Sequence, residues 1–295
     1  MTYNVASGPR LRGDDAALGT MTSPHPDIFA NLNGSVVLAG AGKMGGAMLT
    51  GWLAQGVEAS KLAVIDPAPS SEIAALTAKG LRINPSDLHG ASVLVVAVKP
   101  QMFADAAPQL RALVSPSTLV ISIMAGVPIA KLSQACGGKV VRAMPNTPAA
   151  IGRGVTVAVA DTGVESTQRT IADALLRATG SVEWIEDEAL MDAVTAVSGS
   201  GPAYVFLLAE ELARAGVAAG LSPDLATRLA RETVAGSGEL LHRSELSSET
   251  LRKNVTSPGG TTAAALEVLM GPGGFQPLLT RAVAAATKRS RELAK

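Results

Sequence analysis

Between Ser35 and about residue 144, short runs of apolar and β-branched residues alternate with segments whose apolar positions recur at helical spacing. The runs Val36–Ala39, Leu62–Ile65, 93–98, 119–123 and 139–142 predict strands, and 44–55, 71–79, 101–113 and 129–135 predict the helices between them. Strands that read as unbroken apolar runs are buried on both faces, so the alternation predicts a parallel sheet covered by crossover helices. Gly154–Ala160 is expected to extend that sheet. A helix over 165–178 and a strand over 181–185 would complete a first domain, 34–187.

From Glu188 onward the strand pattern stops. Helices are expected over 188–197, 202–216, 222–241, 247–253, 262–270 and 276–293, giving an all-α second domain, 188–295. Pro202 suits a first helical turn, and Ser222 before Pro223 is a good N-cap. Ser198-Gly199-Ser200-Gly201 reads as the turn and cap that launch the helix after Pro202. That helix is apolar on nearly every side over its first three turns, and such a helix must be buried all round. A domain of about a hundred residues has little depth, so a second subunit is expected to cover it. Residues 1–33 are rich in Gly, Pro, Ser and Asp and lack the apolar core of a signal peptide. They predict a disordered leader, with Met21 as an alternative start.

At 295 residues the chain is long enough for two cores. Its 25 Lys+Arg balance 25 Asp+Glu, and only 3% of residues are aromatic, which argues against a nucleic-acid surface. The most apolar stretch, 204–212, is interrupted by Glu210 and Glu211, so no membrane span is expected. A lone cysteine, Cys136, excludes an intrachain disulfide, fits a reducing cytoplasm and reads as a small buried hydrophobe. His25, His89 and His242 fall outside every motif and read as surface or capping residues; no metal site is expected.

Two glycine-punctuated loops carry the chemistry. Gly40-Ala41-Gly42-Lys43-Met44-Gly45 follows a predicted strand and opens a predicted helix, the setting of a dinucleotide cradle. Gly40 permits the tight turn, Gly42 admits the pyrophosphate and Gly45 lets helix and strand approach. The second predicted strand ends in Asp66, whose acid can bind a ribose diol and repel a 2′-phosphate, a lean toward NADH. Ser70 and Ser71 are the nearby donors for a phosphate. Val98-Lys99-Pro100 and Ala125 close the next strands at the same expected crevice. The second loop, Ser257-Pro258-Gly259-Gly260-Thr261-Thr262, opens an alanine-rich helix and suits a small carboxylate.

These residues resemble the pyrroline-5-carboxylate reductases from about Ser35 to the C-terminus. The resemblance rests on the first glycine loop, Val98-Lys99-Pro100-Gln101, the Arg142–Pro148 segment RAMPNTP, the 192–204 segment DAVTAVSGSGPAY and the 255–262 segment VTSPGGTT. It implies an N-terminal Rossmann-type doubly wound sheet and an all-α C-terminal dimerisation domain that interlocks with a partner, with further assembly open. It implies reduction of the cyclic imine 1-pyrroline-5-carboxylate to L-proline by NAD(P)H, the last step of proline biosynthesis. The family leans toward NADPH, against the lean of Asp66.

In this resemblance Thr262 hydrogen-bonds the ring nitrogen, Ser257, Gly260 and Thr261 anchor the carboxylate, Glu188 stands near the substrate, and Asn84 and Asn254 touch the cofactor. Thr262 either positions an already protonated iminium or relays a proton from water or Glu245. The cofactor facing it belongs to the same subunit or to its partner. Two other readings remain: a reductase of a related cyclic imine such as the six-membered homologue, and a nucleotide sensor that has lost turnover. The intact Ser257–Thr262 loop argues against the sensor.

Overall fold

The computed structural model describes residues 34–293, so the expected leader lies outside the described residues. Eight strands form one sheet: β1 Val36–Ala39, β2 Leu62–Ile65, β3 Arg82–Ile83, β4 Val93–Val96, β5 Leu119–Ser122, β6 Lys139–Met144, β7 Gly154–Ala160 and β8 Gly180–Trp184. Their order is β3-β2-β1-β4-β5-β6-β7-β8. Helices α1 (Lys43–Ala54), α2 (Ser71–Ala75), α3 (Phe103–Arg111), α4 (Ile129–Cys136) and α5 (Ser166–Arg177) connect them.

The sheet is mixed rather than wholly parallel, because β7 runs antiparallel to β6. The connection between them, residues 145–153, is shorter than the dozen or so residues a parallel crossover needs. The two-residue edge strand β3 is too short to leave a periodic signal in the sequence. Side chains of the central strands alternate between two cores. Val36 and Leu38 pack with Met48, Trp52 and Leu175 on one face; Val37 and Ala39 share the other with Phe103, Leu132 and Cys136. Trp52 donates its indole N–H to the Leu175 carbonyl at 2.8 Å, fastening α1 to α5.

The helical half begins with a 3₁₀ turn, Glu188–Leu190, then α6 (Met191–Val194). Of the segment expected as a turn and cap, Ser200 is the N-cap of α7 (Gly201–Ala218), while Ser198 and Gly199 end a π-turn, Thr195–Gly199, that runs into it. Ser200 N–H reaches back to the Thr195 carbonyl at 2.8 Å, and the Tyr204 hydroxyl donates to the Ala196 carbonyl at 3.0 Å, fixing the wider turn. Helix α7 forms a hairpin with α8 (Pro223–Arg243), whose first turn is capped by the Ser222 hydroxyl accepting from Leu225 N–H. Then follow α9 (Ser248–Asn254), α10 (Thr261–Leu269) and α11 (Phe275–Leu293). Helix α11 packs on α6 and the π-turn, where the Ser290 hydroxyl donates to Asp192 at 2.6 Å.

No residue of α7 is fully buried in one chain, and Phe206 is 67% exposed. Among the described residues, helices α9 and α10 pack extensively on no other element of their own chain. Among the described residues, no helix is long and apolar enough to cross a membrane.

Candidate active site

The sheet order reverses between β1 and β4, and the crevice beyond their carboxyl ends is where such sheets bind ligands. Gly40 has φ +90°, and a Cβ there would sit 2.7 Å from the Ala97 carbonyl oxygen. A Cβ on Gly45 would lie 2.1 Å from the Gly40 oxygen. The loop is therefore closed onto the end of β4 in a way only glycine allows. Gly42, by contrast, caps α1 with no side-chain bond and has nothing within 4 Å of its Cβ position. That leaves room for an anion at the free N–H groups of the helix start, and the cradle fits a dinucleotide pyrophosphate.

Gly42, Lys43, Asp66, Ser70, Glu72 and Ala149 all line a cleft of about 790 Å³ on this side. Met44 follows, half-buried, in the first turn of α1. Val98 is half-buried, Lys99 and Pro100 are exposed where a 3₁₀ turn begins, and Ala125 is exposed in the loop after β5. The structure thus brings the first glycine loop and Asp66 to one cleft, with the end of β4 packed against Gly40; Val98, Lys99, Pro100 and Ala125 do not line that cleft.

Two expected cofactor contacts have a structural task as well. The Asp66 carboxylate accepts Ala41 N–H at 2.7 Å through Oδ2 and Ala68 N–H at 2.8 Å through Oδ1. It shapes the glycine loop while keeping lone pairs for a ribose. Asn84 sits at φ +46°, accepts Asp66 N–H at 3.0 Å and donates to the Asp66 carbonyl at 2.8 Å. Its amide is committed to holding the end of β2.

Glu188 opens the helical half and ties it back to the sheet. Its Oε1 accepts Ile129 N–H at 2.9 Å and Arg142 Nη1 at 2.7 Å. The Arg142 side chain is only 7% exposed. Sequence reading gave Arg142 no role, yet a lone arginine inside the strand Lys139–Met144 is a visible signal, since a buried charge demands a partner. Through these bonds Glu188 braces the start of α4 and the loop holding Ala125.

The second loop lies between α9 and α10. Gly259 has φ +69°, and a Cβ on Gly260 would meet the Ser257 hydroxyl at 2.5 Å. Gly260 caps α10 with no side-chain bond, so the N–H groups of the first turn, including Thr261 and Thr262, have no intrahelical partner. Ser257 and Thr261 are exposed, Thr262 is half-buried, and Asn254 ends α9 in the open. Among the described residues, hydrogen bonds of this loop stay within it, α9 and α10, as in Thr256 Oγ1 to the Arg252 carbonyl at 2.6 Å and Ala264 N–H to the Gly260 carbonyl at 3.2 Å. Within one chain, and among the described residues, no hydrogen bond brings 254–262 to the crevice.

A glycine-loop cleft on a doubly wound sheet, joined to helices whose apolar faces lack cover, defines a dinucleotide-dependent oxidoreductase that dimerises through its helical half. Comparison with known proteins agrees. Residues 188–293 match the family described as pyrroline-5-carboxylate reductase dimerisation, and residues 35–126 match NADP oxidoreductase, coenzyme F420-dependent. Curated pyrroline-5-carboxylate reductases are similar over most of the chain. The Pseudomonas aeruginosa protein is 39% identical over 88% of this chain and 96% of its own, and that of Pisum sativum 38% over 90% and 99%. Among solved structures, the Coxiella burnetii pyrroline-5-carboxylate reductase superposes with a TM-score of 0.82 at 33% identity, covering 89% of this chain and 99% of that one. A Plasmodium falciparum pyrroline carboxylate reductase with NADP bound gives a TM-score of 0.74 at 32% identity, with the same coverage. The chain belongs to the pyrroline-5-carboxylate reductase family.

Proposed function

We propose that this protein reduces 1-pyrroline-5-carboxylate to L-proline with NAD(P)H, and that the residues named above divide the work. The observation that carries the reading is the intact Ser257–Thr262 loop at the start of α10, whose free N–H groups suit a small carboxylate. Ser257, Gly260 and Thr261 hold that carboxylate without a charged side chain. The Thr262 hydroxyl lies against the ring nitrogen and orients the iminium. In the crevice, Gly40, Gly42, Lys43, Met44 and Gly45 cradle the pyrophosphate, and Asp66 meets the adenosine ribose. Val98, Lys99, Pro100 and Ala125 face the nicotinamide half, and Asn84 and Asn254 flank the cofactor. When bound, the dinucleotide supplies the hydride. The chain's own contribution is to hold two reactants at reacting distance.

The acids Asp66 and Glu72 both line the cleft, and these two carboxylates support a preference for NADH. Glu188 orders the substrate side from its place between α4 and β6. Domain limits of 34–187 and 188–295 fit this division. The homodimer forms through the helical half, further association builds on it, and the enzyme works in the cytoplasm.

The test is a steady-state assay of purified protein with pyrroline-5-carboxylate, run in parallel with NADH and NADPH. Turnover is expected with both, with the larger kcat/KM for NADH. No turnover with either, in folded dimeric protein, would move the reading to the six-membered imine.

A further inference from the structure

Arg153 joins the cofactor cleft to the far end of α8. It directly follows Gly152 in the segment whose Ala149, Ala150 and Gly152 line the cleft opposite Gly42 and Asp66. Its backbone N–H is fixed to the Pro148 carbonyl at 3.1 Å. Its guanidinium crosses to the helical half, donating from Nη2 to both oxygens of Glu239 at 3.1 and 3.3 Å. Nη1 meets Nε2 of His242, which must accept, because a guanidinium only donates. Glu239 is held from its other side by Arg243 at 2.6 Å. The Glu239 carboxyl is kept below the usual carboxylate range by that bond from Arg243, with the positive charge of Arg153 adding to it. The contact is therefore ionic at neutral pH.

What Arg153 grips is the last turn of α8, and the chain then passes through residues 244–247 into α9 and the Ser257–Thr262 loop. Helices α9 and α10 are otherwise weakly anchored within the chain. Within one chain, a shift in the 149–152 wall therefore has a route through Arg153 to the root of the substrate segment.

We propose that Arg153 is a positioning residue that couples the dinucleotide cleft to the substrate loop, so that filling one site favours filling of the other. A dinucleotide packed against Ala149–Gly152 fixes the wall, the wall fixes Arg153, and Arg153 fixes the end of α8 from which the loop segment departs. Thermodynamic linkage makes the effect reciprocal. The proposal rests on the assignment of the two glycine loops to dinucleotide and substrate.

The experiment is calorimetric titration of the full-length protein with L-proline, alone and with saturating NADH or NADPH. Reduced cofactor and proline cannot react with each other. In the wild type, reduced cofactor is expected to tighten proline by about tenfold or more, within the usual range of coupling between sites. In Arg153→Met and Glu239→Gln the factor should fall below about twofold, on the same linkage scale, while proline affinity without cofactor stays close to wild type. Arg153→Lys, which keeps one ion pair to Glu239, should recover part of it. A merely structural role would lower melting temperature and both affinities together and leave the ratio unchanged. Equal ratios in wild type and Arg153→Met would overturn the proposal. A wild type that binds neither proline nor reduced cofactor would instead overturn the assignment of the loops.

Discussion

Asp66 commits both carboxylate oxygens to backbone N–H groups, one in the glycine loop and one in its own turn, and so builds the crevice before any ligand arrives. In the proposed cofactor pose it still leaves a negative charge where a 2′-phosphate would lie. Asp66→Ser should therefore raise the NADPH/NADH ratio of kcat/KM by about tenfold, since one close like-charge contact is worth between about 1 and 4 kcal/mol near a surface. Parallel kinetics with the two cofactors measure it, and an unchanged ratio would show that Asp66 does not set the preference. Thr262→Ala removes the hydroxyl assigned to the ring nitrogen. It should lower kcat by about tenfold to hundredfold, the scale of one lost positioning or proton-handling group, with dinucleotide Kd unchanged. Wild-type turnover in that variant would remove Thr262 from the site. Cys136 is 2% exposed, and burial pushes its thiol up, partly offset by the charge of Arg111. It should react with a thiol reagent far more slowly in native protein than in urea, which a colorimetric time course reads directly.

Among the elements, the pair Arg142–Glu188 is the joint that sequence patterning did not expose. The two partners differ in surroundings: the Arg142 side chain is 7% exposed, Glu188 31%. Glu188→Ala strands a buried cation and should cost about 3 kcal/mol of unfolding free energy, whereas Arg142→Met leaves a carboxylate that water can reach and should cost less. Urea titrations of both variants test that order, and an equal loss would contradict it. The strands were legible because buried parallel strands read as apolar runs; β1 and β2 match their expected limits residue for residue. Direction was not legible at β7, since it depends on the length of the 145–153 connection rather than on alternation. The glycine loops could be read because backbone close approach leaves glycine as its mark. Arg153 could not be found, because its partners lie far off in sequence and a lone surface arginine carries no periodicity.

For the molecule as a whole, the exposed apolar faces of α7 and α8 and the weakly anchored α9 and α10 all belong to the region matched to the dimerisation family. Phe206→Glu should place a charge in that interface at a cost of about 3 kcal/mol or more. Sedimentation at concentrations where the wild type is a dimer should then find monomer, with specific activity falling in parallel while dinucleotide binding persists. A variant that stays dimeric and active would show that Phe206 lies off the interface.

The π-turn at Thr195–Gly199 bears on how such a dimer changes over generations. One extra residue in a helix turns everything after it by about 100°. The Tyr204 hydroxyl, by holding the Ala196 carbonyl, locks that offset in place. Deleting a single residue there would leave α7 intact as a helix yet swing Phe206 and its neighbours to another compass bearing. The bearing of the exposed apolar face of α7 thus hangs on a phase angle as much as on side-chain chemistry, and a one-codon deletion in the π-turn would reset it without altering a single residue of that face.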